Sequence, residues 1–418
     1  MLTRRDFIAA TSIAGVAAAS GLTRVAFGQQ ASDAPIVVVL ILRGGMDGLN
    51  LLAPVNDTSY MRARPAGLRV TDSGTSAGWT VASSGGLDFR AHPATEPLRS
   101  LYESRQLAFV HATGLKNATR SHFEAMDMME RGVTDRSASL RTGWLTRYLP
   151  ALAATTGQLP SAAITSGLPA LFLGAEQTPS IPQPNDFSLW LDGFLRDRQL
   201  KVLRDSNAGS DVVAAGFRRM LAVTDVLDAK IPKNANGERI PYQPRSGVTY
   251  PDNWPAGELS NSLKAVAQLV KLDVGLQLAT LDFGDWDHHD GQEWRFRSRV
   301  DAMARSLAAF WSDMQDYHSR LVVMTISEFG RRLKSNNSAG TDHGHGNAMM
   351  LLGGRVQGGK LYGPWPGLAD GQLDEGDLAI TTDYRAVVTE VLTTLRPGTD
   401  AAALFPGFTM PGRLGLIA

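Results

Sequence analysis

The chain contains no cysteine, which excludes disulfides, thiolate metal sites and a cysteine nucleophile together. It has no excess of charge of either sign: 41 Lys and Arg balance 41 Asp and Glu, so no nucleic-acid footprint or strongly acidic partner is expected. The dinucleotide fingerprint G-x-G-x-x-G is missing. Internal repeats and low-complexity segments are missing too, so no domain cut is compelling. What is present is a 418-residue chain, 43 % apolar and 20 % charged. That is an ordinary globular composition, long enough for one large α/β domain or two smaller ones.

The N-terminus reads as an address. Thr3-Arg4-Arg5-Asp6-Phe7-Ile8 is a twin-arginine pattern, followed by an Ala-rich stretch from Phe7 to Ala19 and a small-x-small site at Ala26-Phe27-Gly28. Thr11, Ser12 and Gly15 interrupt that stretch, and it is too short to span a bilayer comfortably. The expectation is a signal over residues 1–28, export through the twin-arginine (Tat) translocase to the periplasm or beyond, and no membrane span in the mature form. Residues 29–418 are then read as a single α/β domain, with loop insertions at about 56–100 and 231–257.

Strands come first in the argument because they deliver the polar segments. Pro35 to Leu42 is a continuous apolar, β-branched run of the kind found in a parallel strand covered on both faces. It runs into Arg43-Gly44-Gly45-Met46-Asp47-Gly48, at the strand end where open α/β sheets build their sites. Asp47 is either a metal ligand or the cap of a Gly-rich turn, and Arg43 is a candidate anion binder. Residues 56–100 read as loops. Gln106–His111 is the second strand, followed by a helix from Ser121 with Phe123, Met126 and Met129 on a buried face and Gly132 as its end. Ser121 is read in two ways. It is an ordinary N-cap, or a nucleophile at a helix N-terminus that favours anions, with Arg120 adding charge and His122 as ligand or base.

Short strands are expected at 161–165 and 170–174, and helices at 142–149, 186–199, 211–230, 258–271 and 292–318. Strand 276–281 delivers the segment LDFGDWDHHDGQ, Leu281 to Gln292, with four aspartates and two adjacent histidines. Strand 320–326 delivers SEFGRR, and Asp342-His343-Gly344-His345 directly precedes the apolar run Ala348–Leu352. Of the eight histidines, His288, His289, His343 and His345 lie in these two clusters, and imidazole is the commonest protein metal ligand. Asp287 and His289, two apart on an extended segment, point to one side. The candidate ligands are therefore Asp47, Asp287, His289, Glu328, Asp342, His343 and His345. Asp282, Asp285, His288 and Asp290 are left to orient them or to hold a second ion. The mixed oxygen and nitrogen set suits a divalent ion such as Zn or Mn, or Mg or Ca if oxygens dominate.

The segments LRGGMDGLN, Trp286–Gln292, SEFGRR, Gly340–Gly344 and the paired glycines at 353–354 and 358–359 resemble those of an uncharacterised, Tat-exported family. That family is labelled only as a domain of unknown function within the alkaline phosphatase and sulfatase superfamily. The resemblance implies an alkaline-phosphatase-like three-layer α/β sandwich around a mostly parallel sheet. It also implies one or two metals that activate a hydroxyl nucleophile against an anionic ester of a small molecule, glycan or lipid. By that resemblance Asp47 lies near the first ligand, Ser121 near the nucleophile, Asp287 and His289 at the middle ligand pair, Glu328 at the next strand end and His343 at the last histidine. Three departures stand out. Arg43 and Gly44 stand where an Asp normally follows the first strand, SEFG replaces S-D-H-G, and the sulfatase C-x-P-S-R signature is absent. The set therefore suits a single or repurposed metal site better than a two-zinc phosphatase. The expectation is a hydrolase of phosphate or sulfate esters, with a catalytically degenerate binding or assembly protein of the envelope as the alternative.

Overall fold

The computed structural model describes residues 33–117, 119–152, 158–189, 191 and 193–418; the expected export signal lies outside them. Eight strands build one large sheet: β1 (Ile36–Leu42), β5 (Leu107–Gly114), β6 (Ser161–Ala163), β7 (Leu278–Phe283), β8 (Leu321–Ile326), β9 (Asn347–Gly353), β10 (Leu361–Tyr362) and β11 (Thr382–Asp383). Their order is β10-β5-β9-β8-β1-β7-β6, with β11 also paired to β5. β1 is central, parallel to β7 and β8 on its two sides, and every one of its residues is buried. β9 alone runs antiparallel, to both β5 and β8. The carboxyl ends of β1, β5, β7 and β8 and the start of β9 therefore share one sheet edge.

Alternation along β1 makes the layers. Ile36, Val38, Leu40 and Leu42 join a core with the residues of helices Ala256–Lys271 and Gln292–Asp313. Val37, Val39 and Ile41 join another core, with helices His122–Arg131 and Tyr384–Leu395. Period-two side chains on a strand buried on both faces give a helix layer on each side, hence a three-layer α/β sandwich.

The sequence-based expectation differs from the structure at four places. Residues 56–100 are not simply loops, because β3 (Trp79–Ser84) and β4 (Leu87–Ala91) form a hairpin that pairs with β2 (Leu52–Pro54); Trp79, Val81, Phe89 and Ala91 supply its buried side chains. Ala170–Phe172 is a turn of 3-10 helix rather than a strand, as its preceding Pro169 permits. The helix expected over 186–199 lies at Arg196–Ser206. The long helix ends at Asp313 and passes into 3-10 turns over Gln315–Arg320; the buried Asp313 carboxylate is taken by Tyr242, Tyr250, the Arg245 amide and Lys271. That hub also pins the 231–257 connection onto the domain.

Candidate metal centre

Residues from four of the strand connections meet at the shared edge. Gly44 follows β1 with φ +117, and a Cβ there would stand 2.7 Å from the Asp287 amide nitrogen. Only glycine lets the two crossover segments touch at this point. The segment after β8 is organised from within. The Ser327 hydroxyl donates to the Leu42 carbonyl (2.7 Å) and accepts from the Met46 amide (3.0 Å). Glu328, fully buried, accepts from the Gly44 amide (2.8 Å) and meets His122 Nδ1 (2.8 Å). Phe329 lies 4.8 Å from the His122 ring and 4.9 Å from that of His343.

Three imidazoles converge on one carboxylate. His122 Nε2 is 3.4 Å from Asp287 Oδ2, while His289 Nε2 and His343 Nε2 are 3.0 and 3.1 Å from Oδ1. The opposite nitrogen of each ring is already committed: His122 Nδ1 to Glu328, His289 Nδ1 to Asp342 (2.9 Å), and His343 Nδ1 to the Arg120 carbonyl (2.7 Å). A carbonyl or an ionised carboxylate can only accept, so each Nδ1 carries the hydrogen, and in its neutral form each ring turns the Nε2 lone pair inward. His122 Nε2 is buried without a hydrogen-bond partner. Lone pairs facing a carboxylate form a set that asks for a cation.

The same contacts set the side-chain electrostatics. Burial alone would push Glu328 up, but the hydrogen bonds from His122 and the Gly44 amide hold it below the usual carboxylate range. That ionised partner in turn raises the His122 imidazole. Burial opposes ionisation of Asp287 as well; the Arg331 guanidinium overcomes it and holds the carboxyl well below its ordinary value. Burial lowers His343.

The donor atoms of His122, Asp287 and His343 all lie within 4.8 Å of one another. His343 Nε2 is 3.1 Å from Asp287 Oδ1 and His122 Nε2 is 3.4 Å from Oδ2, one contact to each carboxylate oxygen, against about 3.3 Å between ligand atoms in a tetrahedral shell with bonds of about 2.0 Å. Two nitrogens and an oxygen, each ring fixed from behind, fit a borderline divalent ion such as zinc or manganese.

The other candidates are placed as follows. His289 touches this cluster through Asp287 and through His343, with its Asp342 partner held by Asn336 (3.0 Å). Glu328 backs His122. Asp47 is not brought to the cluster: it caps the short helix Gly48–Leu51 and is buried against Arg64 (2.5 and 3.1 Å) and Gln292 (2.6 Å). His345 turns away to Asp374 (2.5 Å) and the Leu115 carbonyl (3.2 Å). Arg43 is paired with Asp282 and Glu130, and Arg120 with Asp377 and Glu375. Ser121 occupies the N-cap position of helix His122–Arg131, yet its side chain makes no capping bond; it lies between the Arg120 carbonyl that fixes His343 and the His122 ring. Phe123, expected on the buried face of this helix, is 85 % exposed. Ala125, Met128 and Met129 define that face, and Phe123 stands two residues, about 200°, away from Ala125.

Arg331 is a site residue that sequence reasoning passed over. It is buried and donates to Asp287 (2.5 Å) and to the carbonyls of Gly44 (2.5 Å), Gly45 (2.7 Å) and Thr341 (2.9 Å). Its signal was its place in SEFGRR, where a charged residue so close to a buried strand needs an internal partner.

Residues 261–396 match the family described as a protein of unknown function, DUF1501; this span holds Asp287, His289, Glu328, Asp342 and His343, while His122 lies before it. No curated protein matches the chain. Among solved structures, alkaline phosphatase from the Antarctic bacterium TAB5 is 9 % identical, with 77 % of this chain and 92 % of that one covered at a TM-score of 0.31. The C-terminal periplasmic domain of EcEptC from Escherichia coli is 9 % identical, with coverage of 94 % and 93 % and a TM-score of 0.37. The phosphonate monoester hydrolase SpPMH from Silicibacter pomeroyi is 9 % identical, with coverage of 90 % and 78 % and a TM-score of 0.40.

Proposed function

We propose that this chain is an exported, metal-dependent hydrolase of phosphate or sulfate esters with Ser121 as its hydroxyl nucleophile. The observation that carries the proposal is the convergence of the His122, His289 and His343 Nε2 atoms on Asp287 while every Nδ1 is tied off. His122, Asp287 and His343 would hold the ion, with His289 beside them. When bound, such an ion supplies Lewis-acid stabilisation of the charge on an ester's oxygens. Glu328 and the Arg120 carbonyl keep the two ligand rings in the donor tautomer. Ser121 offers a hydroxyl free of capping duty at the start of a ten-residue helix, where unpaired N–H groups favour an anionic ester. Small-molecule, glycan and lipid esters all carry the required group. The twin-arginine pattern supports export through the Tat translocase, and among the described residues no helix is long and apolar enough to cross a membrane.

One observation favours a second reading, a binding or assembly protein that has lost catalysis: the guanidinium groups of Arg43 and Arg120 are both engaged by carboxylates. Metal analysis combined with turnover of aryl phosphates and sulfates separates the two. The hydrolase reading expects bound metal in the wild type and in Ser121→Ala, with turnover reduced in the variant by roughly 10³-fold or more. Metal without turnover in the wild type supports the binding protein, and absence of metal contradicts the hydrolase.

A further inference from the structure

Arg120 is held unequally on its two sides. Its Nε and Nη2 donate to Asp377 Oδ2 at 3.1 and 2.5 Å, and that aspartate side chain is fully buried. Nη1 instead meets Glu375 Oε2 at 3.1 Å, and the Glu375 side chain is 68 % exposed. One edge of the guanidinium is thus anchored in the protein, while the outer nitrogen is covered only from solvent. The main chain of the same residue carries the carbonyl that fixes His343, and Ser121 follows it.

The loop that presents Glu375 is not shaped for glutamate. Asp374 and Asp377 exchange both backbone hydrogen bonds, at 2.9 and 3.0 Å, and the two residues between them have positive φ: +52 for Glu375 and +91 for Gly376. A two-residue turn with both central residues left-handed prefers Asn-Gly, Asp-Gly or Gly-Gly. Glutamate in this position gives up turn stability and gains a carboxylate long enough to reach Arg120.

We propose that Glu375 is a built-in competitor for the anion site: its carboxylate covers the outer edge of Arg120 where oxygens of a tetrahedral phosphate or sulfate group would bind, and it is displaced when such a group enters. The proposal rests on the hydrolase reading for the kind of anion, but its test does not require turnover. An ion pair this exposed is weak, so displacement is easy and its removal measurable.

The experiment is titration of the full mature chain with inorganic phosphate and, separately, inorganic sulfate by calorimetry. Wild type, Glu375→Gln, Glu375→Asn and Arg120→Ala with Glu375→Gln are compared, each with its metal content measured. The expected result is that both single variants bind phosphate about two- to fivefold more tightly than wild type, and that the gain disappears without Arg120. Glu375→Asn, which suits the turn, guards against misfolding. Unchanged affinity in both single variants overturns the proposal, and so does a gain that survives loss of Arg120, or an absence of anion binding in all four proteins. Metal content and ester turnover report on the hydrolase reading separately.

Discussion

The Nε2 atoms of His289 and His343 stand 2.9 Å apart, and the Nδ1 atoms of both rings are bonded elsewhere, to Asp342 and to the Arg120 carbonyl. With both rings neutral and both hydrogens on Nδ1, two lone pairs at that separation repel, and a bound cation relieves the repulsion. A cation that binds the folded chain and not the unfolded one adds stability by mass action, about 2.7 kcal/mol at a hundredfold excess over Kd. Treatment with a chelator is therefore expected to lower the thermal midpoint, and added zinc or manganese to restore it. A midpoint indifferent to both treatments would speak against ion binding at this pair.

Glu328 touches no substrate in this account; it acts by holding His122. Glu328→Gln keeps the shape but loses the charge that fixes the Nδ1 hydrogen, so metal affinity should fall about 10- to 100-fold, the usual effect of removing a group that orients a ligand. Competition with a chromophoric chelator measures it. An unchanged affinity would show that His122 is not a ligand or does not need its partner.

Asp47 gives the opposite pattern. It is 2 % exposed and faces a fully buried Arg64, so Asp47→Ala strands a buried charge and removes a helix cap. Urea unfolding should report a loss of about 3–5 kcal/mol. The metal content of the protein that remains folded should match that of wild type; a selective loss of metal would return Asp47 to the ligand set.

His92 provides a pH dependence away from the site. Burial, with Arg297 adding to it, lowers its imidazole from 6.5 to about 4; its Nδ1 accepts the Ala94 amide at 3.1 Å, and its ring meets Phe296 edge-on at 5.5 Å. Between those two pH values the unfolded chain binds the extra proton and the native chain does not, so stability rises with pH across the window and is lost as pH falls through it. His92→Asn retains a cap acceptor without titrating, and should flatten this part of the curve. Identical slopes in the two proteins would rule His92 out as the cause.

Much of the architecture was legible because it depends on local pattern. The apolar run 36–42 could only be a strand buried on both sides, and the polar segments at 43–48, 284–291, 327–332 and 340–346 had to follow or precede strands. Their meeting at one edge follows from β1, β7 and β8 being parallel and β9 antiparallel. Residue type and spacing do not say which carboxylate faces which cation. Asp47 and Asp287 look alike in sequence, yet Arg64, 17 residues on, takes one, while the other faces His289 beside it and His122 and His343 from distant segments. The same lack of long-range pairing kept Arg331 out of view, and it hid the roles of Asp377 and Glu375, which lie more than 250 positions from their Arg120 partner. The hairpin at 79–91 did carry a signal, since Leu87, Phe89 and Ala91 alternate with polar residues after the Gly85-Gly86 turn, but the Gly, Ser and Thr around it obscured the pattern.

The most direct measurement is the metal stoichiometry of the protein, purified without chelator, beside His122→Ala, His343→Ala and Asp47→Ala. One divalent ion per wild-type chain is expected, retained in Asp47→Ala and lost in both histidine variants, with all four proteins folded by circular dichroism. Wild-type protein free of metal after incubation with zinc and manganese, or histidine variants that keep the full complement, would contradict it.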